Sequence, residues 1–217
     1  MGRWRPGPKL TPKIILEGTR LTGKTDLAFA LNEHPRIVGP RRYRYHSPLI
    51  SGEWGAFTPY PWDRGLIDYE PHERPRAMET FATWVRLFEL QPHSSWIVDR
   101  FHLSTIAFQA RTRGVVEDFS WLEDRIEPLG FHLVVCTRHA ESFEAARAER
   151  LLVSGKPSQY EDLRSFIDEQ ERLRALAATS RLPTLELDMS AGDPDAAAER
   201  IADWMTETGG LWAPGTA

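Results

Sequence analysis

Short apolar segments recur along the chain and alternate with segments in which apolar residues have helical spacing. The apolar segments lie at 14–17, 36–39, 96–98, 131–136 and 184–188. Strands that alternate with helices in this way are typical of a parallel sheet with helices on both faces. The pattern therefore predicts an α/β protein with three layers, α/β/α, around a five-stranded parallel sheet.

Several segments between these strands have the pattern of a partly buried helix. From Pro75 to Leu90, apolar residues recur every three or four positions. Ser120–Glu123 and Ser158–Glu161 each have the form of a capping box that opens a helix. Asp193 followed by Pro194 predicts the start of a last helix, which we expect to cover the last strand.

A glycine-rich motif follows the first predicted strand. Residues 18–25 read Gly-Thr-Arg-Leu-Thr-Gly-Lys-Thr and fit the phosphate-binding pattern G-x-x-x-x-G-K-[ST], the P-loop. Such a loop directs backbone N–H groups and a helix N-terminus at one phosphate group. Lys24 would reach the β- and γ-phosphates of ATP, and the Thr25 hydroxyl would join the shell of a bound Mg2+. The predicted nucleotide-binding residues are Gly18, Thr19, Thr22, Gly23, Lys24 and Thr25.

Composition and charge narrow the range of functions. The chain has 217 residues, of which 41% are hydrophobic and 27% charged, as in one globular domain with a full core. A formal net charge of −4 argues against a nucleic-acid polymer as partner and leaves room for a small anionic ligand. The chain has no long apolar run and no signal-peptide pattern, so we expect no membrane contact and a cytoplasmic location.

Cysteine and histidine often act as catalytic residues or metal ligands, but in this sequence we interpret both as structural residues. The single Cys136 lies in an apolar run and is expected to be a buried strand residue. The seven histidines show no metal-ligand spacing.

The ends of the chain are rich in Pro and Gly, so 1–12 and 209–217 are predicted to be flexible tails around one domain at 13–208.

Residues 40–74 form a long insertion dense in aromatic and basic groups. Because it follows the second predicted strand, it leaves from the carboxyl edge of the sheet, where ligands bind. It would bind an acceptor molecule, or alternatively form a satellite core or an oligomer contact. Its basic groups include Arg41, Arg42 and Arg44.

An acid and a base end the third predicted strand, where Trp96-Ile-Val is followed by Asp99 and Arg100. An aspartate at this edge can hold Mg2+ through its water shell or accept a proton from an attacking hydroxyl. Arg100 can bind a phosphate or fix an acceptor oxygen. Alone, the two residues would also fit a surface ion pair, but the P-loop upstream favours a site.

Residues 99–109, Asp-Arg-Phe-His-Leu-Ser-Thr-Ile-Ala-Phe-Gln, resemble the DR(Y/F)xxSxxA(Y/F)Q stretch of thymidylate kinases. Glu17 before the P-loop also matches that family. Residues 143–150 are similar to the arginine-bearing lid helix of the thymidylate and deoxynucleoside kinase group. The order of elements is similar from Lys13 to Met205, although close motif identity covers two short stretches. The resemblance implies a P-loop kinase with a lid region at 138–160.

The resemblance also implies roles for individual residues. Thr25 and Asp99 would hold the metal ion, and the lid arginines would close over the transferred phosphoryl group. The lid arginines also fit an exposed helix face. The predicted catalytic residues are Lys24, Asp99, Arg100, Arg20, Arg147 and Arg150. The predicted acceptor-binding residues are Arg41, Arg42, Arg44, Phe101, Ser104 and Gln109.

Two departures from the family pattern concern the acceptor. Arg20 replaces the usual acid of the P-loop, and residues 39–44 replace an Arg-Glu-Pro segment after the second strand. We interpret the chain as an enzyme that uses ATP and Mg2+ to phosphorylate a nucleoside monophosphate or related nucleotide. A kinase of a nucleoside hydroxyl, with Asp99 as base, and a P-loop hydrolase or switch stay open as alternatives. The expected partner is a small-molecule acceptor, and the resemblance implies a homodimer.

Overall fold

A five-stranded parallel sheet forms the centre of the molecule. The computed structural model describes residues 10–38, 49–53, 55–60 and 63–211. The strands are β1 (Lys13–Glu17), β2 (Leu49–Ser51), β3 (Trp96–Asp99), β4 (Phe131–Thr137) and β5 (Thr184–Asp188). They pair in parallel in the order β2-β3-β1-β4-β5. The predicted parallel α/β sheet is confirmed.

Helices cover both faces of this sheet. Those of the described residues are α1 (Lys24–Glu33), α2 (Pro35–Val38), α3 (Arg74–Leu90), α4 (His102–Arg113), α5 (Ser120–Ile126), α6 (Ser142–Leu151), α7 (Leu163–Ala177) and α8 (Pro194–Glu207). Within the described ranges, none of them combines the length and apolar character that crossing a membrane requires.

Successive residues of β1 point to opposite faces of the sheet and enter two different cores. Ile15 belongs to a core that includes Phe81 of α3 and Leu173 of α7. Ile14 belongs to a second core, which includes Leu27 of α1. This alternation confirms the three-layer arrangement, because β1 is buried on both faces.

The second strand lies further along the chain than the sequence pattern predicts. The predicted strand at 36–39 is wrong where the structure describes it, because Pro35–Val38 is the short helix α2. Ile37 and Val38 both donate backbone hydrogen bonds to the carbonyl of His34, which continues the turn that ends α1. Ile37 is apolar because it is buried beside α1, so its burial produced the strand-like pattern. The actual β2 has three residues, too few to give a clear signal.

The helix starts were predicted with mixed success. Asp193 does cap α8, because its side chain accepts hydrogen bonds from the N–H groups of Asp195 and Ala196. Both predicted capping boxes are wrong. Asp118 accepts from the N–H of Ser120 at the start of α5. Asp162 caps α7, while 157–160 forms a separate 3-10 turn.

The inner ends of both predicted tails belong to the folded domain. The N–H of Thr11 donates to the carbonyl of Leu211 over 2.7 Å, and both residues are buried. The tail predictions for 1–9 and 212–217 fall outside the described residues.

Glu17, the last residue of β1, joins the sheet to the first turn of α4. Its Oε1 atom accepts hydrogen bonds from the N–H groups of Phe101 (3.1 Å), Leu103 (3.0 Å) and Ser104 (3.3 Å). Its Oε2 atom accepts from the Ser104 hydroxyl. A carboxylate is favoured at this place because the first N–H groups of a helix lack partners within the helix. The contact fixes the Asp99–Phe101 turn against the P-loop strand.

We expect the change Glu17→Gln to lower the free energy of unfolding by about 1 to 3 kcal/mol, because a buried amide presents fewer acceptors to these donors. Chemical denaturation monitored by circular dichroism measures this difference. The control is Glu79→Gln, which removes an equal charge from an exposed position of α3. Equal effects of the two changes would contradict the role given to Glu17.

Candidate functional site

The P-loop, residues 18–25, connects β1 to α1 and approaches β4 closely. A Cβ atom added to Gly18 would lie 2.6 Å from the carbonyl oxygen of Cys136, so a larger residue would displace the loop. Gly23 has a left-handed backbone (φ 72°) and precedes the first residue of α1. Leu21 is also left-handed (φ 68°), which is costly for a residue with a side chain. Arg138 stabilises this turn by donating to the Leu21 carbonyl over 3.0 Å.

Lys24 is buried and turned back onto its own loop. Its Nζ atom donates to the carbonyl of Thr19 over 2.7 Å and to the Thr22 hydroxyl over 3.3 Å. Burial lowers the pKa of Lys24 from 10.5 to about 8, and the nearby Arg100 guanidinium adds to this effect. The loop therefore compensates the charge of the ammonium group incompletely, and a bound phosphate would stabilise that charge better.

Thr25 and Asp99 are brought together as the sequence predicts. The Thr25 hydroxyl donates to Oδ2 of Asp99 over 2.9 Å. Oδ1 of Asp99 is buried and has no hydrogen-bond partner in the described part of the chain. Hydroxyl and carboxylate oxygens are ligands that Mg2+ accepts, and the ion usually keeps waters and substrate phosphates as its others. The two residues therefore fit a Mg2+ ion that arrives with a nucleotide.

The described ranges contain no group of three or more His, Cys, Asp and Glu side chains that could hold a metal ion by itself.

The backbone of Arg100 has an unusual conformation that two neighbouring strands maintain. Its φ angle is 59°, in the left-handed region. Its N–H donates to the carbonyl of Leu16 over 2.9 Å, and its own carbonyl accepts from Gly52 over 3.1 Å. A Cβ atom on Gly52 would lie 2.6 Å from that carbonyl oxygen, so this approach requires glycine.

The guanidinium of Arg100 is buried and paired with two carboxylates. Its Nε atom lies 3.3 Å from Oε2 of Glu53, and its Nη1 atom lies 3.6 Å from Oε1 of Glu169. The geometry at Nε does not make a hydrogen bond, so this donor has no hydrogen-bond partner within the described ranges. A bound anion would satisfy it.

Glu53 also lies within reach of a second arginine. Nη1 of Arg20 is 3.5 Å from Oε1 of Glu53 and donates a hydrogen bond to Gln159. Partial burial of the Glu53 side chain would raise its pKa, but Arg100 and then Arg20 hold the pKa below its ordinary value. Glu53 is therefore an ionised carboxylate between guanidinium groups at neutral pH.

The predicted lid region contacts the P-loop. Phe143, Tyr160 and Phe166 form a small apolar cluster, against which Leu21 of the P-loop packs. Arg150 donates from Nε to the Tyr160 hydroxyl over 3.1 Å. The field of Glu53 contributes to raising the pKa of Arg150, after the larger effect of that hydrogen bond. Arg150 is therefore held near the charges of the site.

Arg147, by contrast, takes part in an ion pair within its own helix. Its Nη2 atom lies 2.6 Å from Oε2 of Glu144, one turn earlier in α6. Such a pair is usual on a helix face, and none of the hydrogen bonds and ion pairs described for Arg147 reaches the P-loop, so its catalytic role stays a prediction. Arg150, one turn later in the same helix, donates instead to the Tyr160 hydroxyl.

Three predicted acceptor-binding residues are buried and bonded to the protein itself. Phe101 is packed among Phe81 and Trp84, and Ser104 is bonded to Glu17. Gln109 donates its side-chain N–H groups to the carbonyls of Ile67 and Tyr69, both over 3.1 Å. In this structure these residues position α4 and the segment before α3, and their contact with an acceptor stays a prediction.

The predicted insertion is described only in part. Arg41, Arg42 and Arg44 lie outside the described residues. Of the described part, Leu66 and Tyr69 are fully buried in the core that includes Phe81. Residues 63–69 thus extend the main core of the domain, and the acceptor role of the insertion stays a prediction.

Several site residues were missed by sequence reasoning. Glu53 lies two residues after the end of β2, and the misplaced second strand hid this position. Glu169 is a polar residue at a core-facing position of α7, between Phe166 and Leu173, and that irregularity in the apolar spacing is a usable signal. Arg138 ends its own strand much as Arg100 does, but no motif marks it.

No protein-family model matches the chain, and a search of curated proteins finds no match. Solved structures do match over most of their length. The YorR protein of Bacillus subtilis, solved in complex with phosphorylated GDP, has a TM-score of 0.60 at 17% identity, over 91% of this chain and 96% of that chain.

Two further structures match with similar coverage. A thymidylate kinase from Candida albicans has a TM-score of 0.54 at 14% identity over 96% of both chains. A sugar kinase from Janibacter sp. has a TM-score of 0.53 at 13% identity, over 90% of this chain and 95% of that chain. At these identities the likeness concerns the fold. The chain therefore has the parallel α/β fold that a thymidylate kinase and a sugar kinase share.

Proposed function

We propose that this protein is a P-loop kinase, which transfers the γ-phosphoryl group of ATP to a nucleoside monophosphate or a related nucleotide. The observation that carries the proposal is the convergence of cations beside the P-loop. Arg20 and Arg100 both lie within 3.5 Å of the Glu53 carboxylate, and the positive charges of Lys24 and Arg150, after those of Arg100 and Arg20, help to lower the pKa of Glu53. Such a cluster can bind anions at both the donor and the acceptor position.

On the donor side, the P-loop would hold the triphosphate. Lys24 would exchange its contact with the Thr19 carbonyl for a phosphate oxygen, which supports its protonated form. Thr25 and Asp99 would hold Mg2+, and Mg2+ would neutralise charge on the phosphate oxygens. Because Asp99 is already bonded to Thr25, we assign it to the metal and not to proton transfer.

On the acceptor side, Arg100 offers an unsatisfied Nε donor and Arg20 a partly exposed guanidinium. A monophosphate is already a nucleophile, so the protein needs to position it and balance its charge. Glu53 holds these arginines in place and, being exposed, can move away when a phosphate takes its position. Two structural neighbours support a nucleotide acceptor, namely the thymidylate kinase and the YorR protein with phosphorylated GDP.

A second candidate function is phosphorylation of a hydroxyl group, and Glu53 favours it. If the acceptor is a hydroxyl, a base must accept its proton. Glu53 is an ionised, exposed carboxylate at the carboxyl edge of the sheet, so it suits that role better than Asp99, the base expected from the sequence. The likeness to a sugar kinase is in keeping with this candidate.

The remaining alternative, a hydrolase or switch, has less support. A switch needs a side chain that positions water, and Gln109 of the 99–109 motif is a candidate for that role. Its amide N–H groups are donated to backbone carbonyls, and it is 1% exposed.

We expect ADP formation from Mg-ATP to depend on an acceptor from a panel of nucleoside monophosphates and nucleosides. Lys24→Ala should lower the rate by about 100-fold or more, because it removes a charge from the phosphate site. Arg200→Ala removes an equal charge from an exposed position of α8 and should leave the rate unchanged. ATP turnover that is equal with and without every acceptor would contradict a kinase.

The change Glu53→Gln separates the two acceptor classes. With a monophosphate acceptor, the acceptor KM should fall and kcat should change by less than about threefold, because a competing anion is removed. With a hydroxyl acceptor, kcat should fall by about 100-fold or more, because the base is lost. Steady-state kinetics at saturating ATP, with Glu79→Gln as control, distinguishes these outcomes.

A further inference from the structure

Arg100 is held by two carboxylates that differ in how freely they can move. The Glu53 side chain is 39% exposed and lies on the segment after β2. The Glu169 side chain is 9% exposed and lies in the middle of α7. An incoming anion can therefore displace Glu53 into solvent more readily than Glu169, which is largely buried.

Glu169 occupies a position where the packing of α7 would favour an apolar residue. The buried face of this helix also contains Phe166 and Leu173, at the spacing of a core-facing stripe. A buried carboxylate is costly unless charged partners compensate it. Glu169 has such partners, because its Oε1 atom is 3.6 Å from Arg100 and its Oε2 atom is 3.5 Å from Arg111.

The helix that carries Glu169 is fixed to the sheet at the next residue. The Gln170 side chain accepts from the N–H of Arg138 over 2.8 Å and donates to its carbonyl over 3.0 Å. Arg138 in turn donates to the P-loop carbonyl of Leu21. The position of Glu169 is thus set relative to both the last residues of β4 and the P-loop.

The second partner of Glu169 lies on the neighbouring helix, α4. A cleft of about 710 Å³ is lined by residues of α4 and α7, among them Arg111 and Glu169. Their ion pair joins the two helices, while the other oxygen of Glu169 points to Arg100. The carboxylate is therefore held on both sides.

We propose that Glu169 is a positioning residue that fixes the direction of the Arg100 guanidinium, so that this guanidinium stays in place when an acceptor anion replaces Glu53. This proposal rests on the proposed function, because a fixed direction matters for the contact between Arg100 and the acceptor. An arginine side chain has many rotamers, and loss of this constraint would let Arg100 leave the site.

The first test measures the order of Arg100 without any reaction. In protein labelled with 15N at arginine, the Nε–H signal of Arg100 is assigned by its loss in Arg100→Lys. We expect this signal to be sharp in the unchanged protein and to shift and broaden in Glu169→Gln. Glu171→Gln, an equal change at an exposed position that pairs with Arg174, should leave it unchanged.

The second test separates positioning from stability. Glu169→Gln should raise the acceptor KM or lower kcat by roughly 10- to 100-fold, while the Kd for ATP changes by less than about threefold. Glu169→Asp, which keeps the charge on a shorter arm, should recover part of the loss. An unchanged Arg100 signal in folded Glu169→Gln protein would overturn the proposal, as would unchanged acceptor kinetics.

If the unchanged protein turns over no acceptor, the proposed function fails, and the NMR signal still decides whether Glu169 orders Arg100.

Discussion

The arrangement of the candidate site depends on the contact between the Glu17 carboxylate and the first turn of α4. This contact joins the strand that delivers the P-loop to the segment that carries Asp99 and Arg100. Because the carboxylate satisfies helix N–H groups that lack other partners, α4 can begin directly after β3 without a capping side chain of its own. The short distance between Thr25 and Asp99 follows from the same arrangement. A metal ion and a phosphate would thereby share one edge of the sheet.

Around this frame, charges are balanced in pairs that a ligand can exchange. Lys24 contacts a carbonyl of its own loop, and Arg100 contacts Glu53. Each contact stabilises a buried cation, and each can be replaced by a phosphate oxygen. The two carboxylates beside Arg100 differ in exposure, and this difference corresponds to two roles. The exposed Glu53 can exchange with a ligand, whereas the buried Glu169 maintains the geometry.

The features that sequence predicted well are those encoded by adjacent residues. The P-loop occupies eight consecutive positions, and its strand and helix lie beside it, so local pattern was sufficient. The roles of Glu53 and Glu169 arise from contacts with Arg100 across long separations, which no local pattern contains. The motif at 99–109 indicated the segment beside the P-loop but not the contacts of Phe101, Ser104 and Gln109 within the protein, because their partners lie far away in the sequence. The short β2 was missed because burial beside α1 made residues 36–38 look like a strand.

The most direct test of the phosphate site is the pH dependence of ATP binding, measured by calorimetry in buffers of different ionisation enthalpy. Lys24 in the free protein has a pKa of about 8, and bound phosphate should stabilise its protonated form. Affinity should therefore be constant below pH 8 and fall above it by up to about tenfold per pH unit, with uptake of about half a proton at pH 8. Lys24→Arg, which stays protonated, should show no such fall. A constant affinity from about pH 7.5 to 9.5 without proton uptake would contradict the account, because Lys24 would then not contact the phosphates.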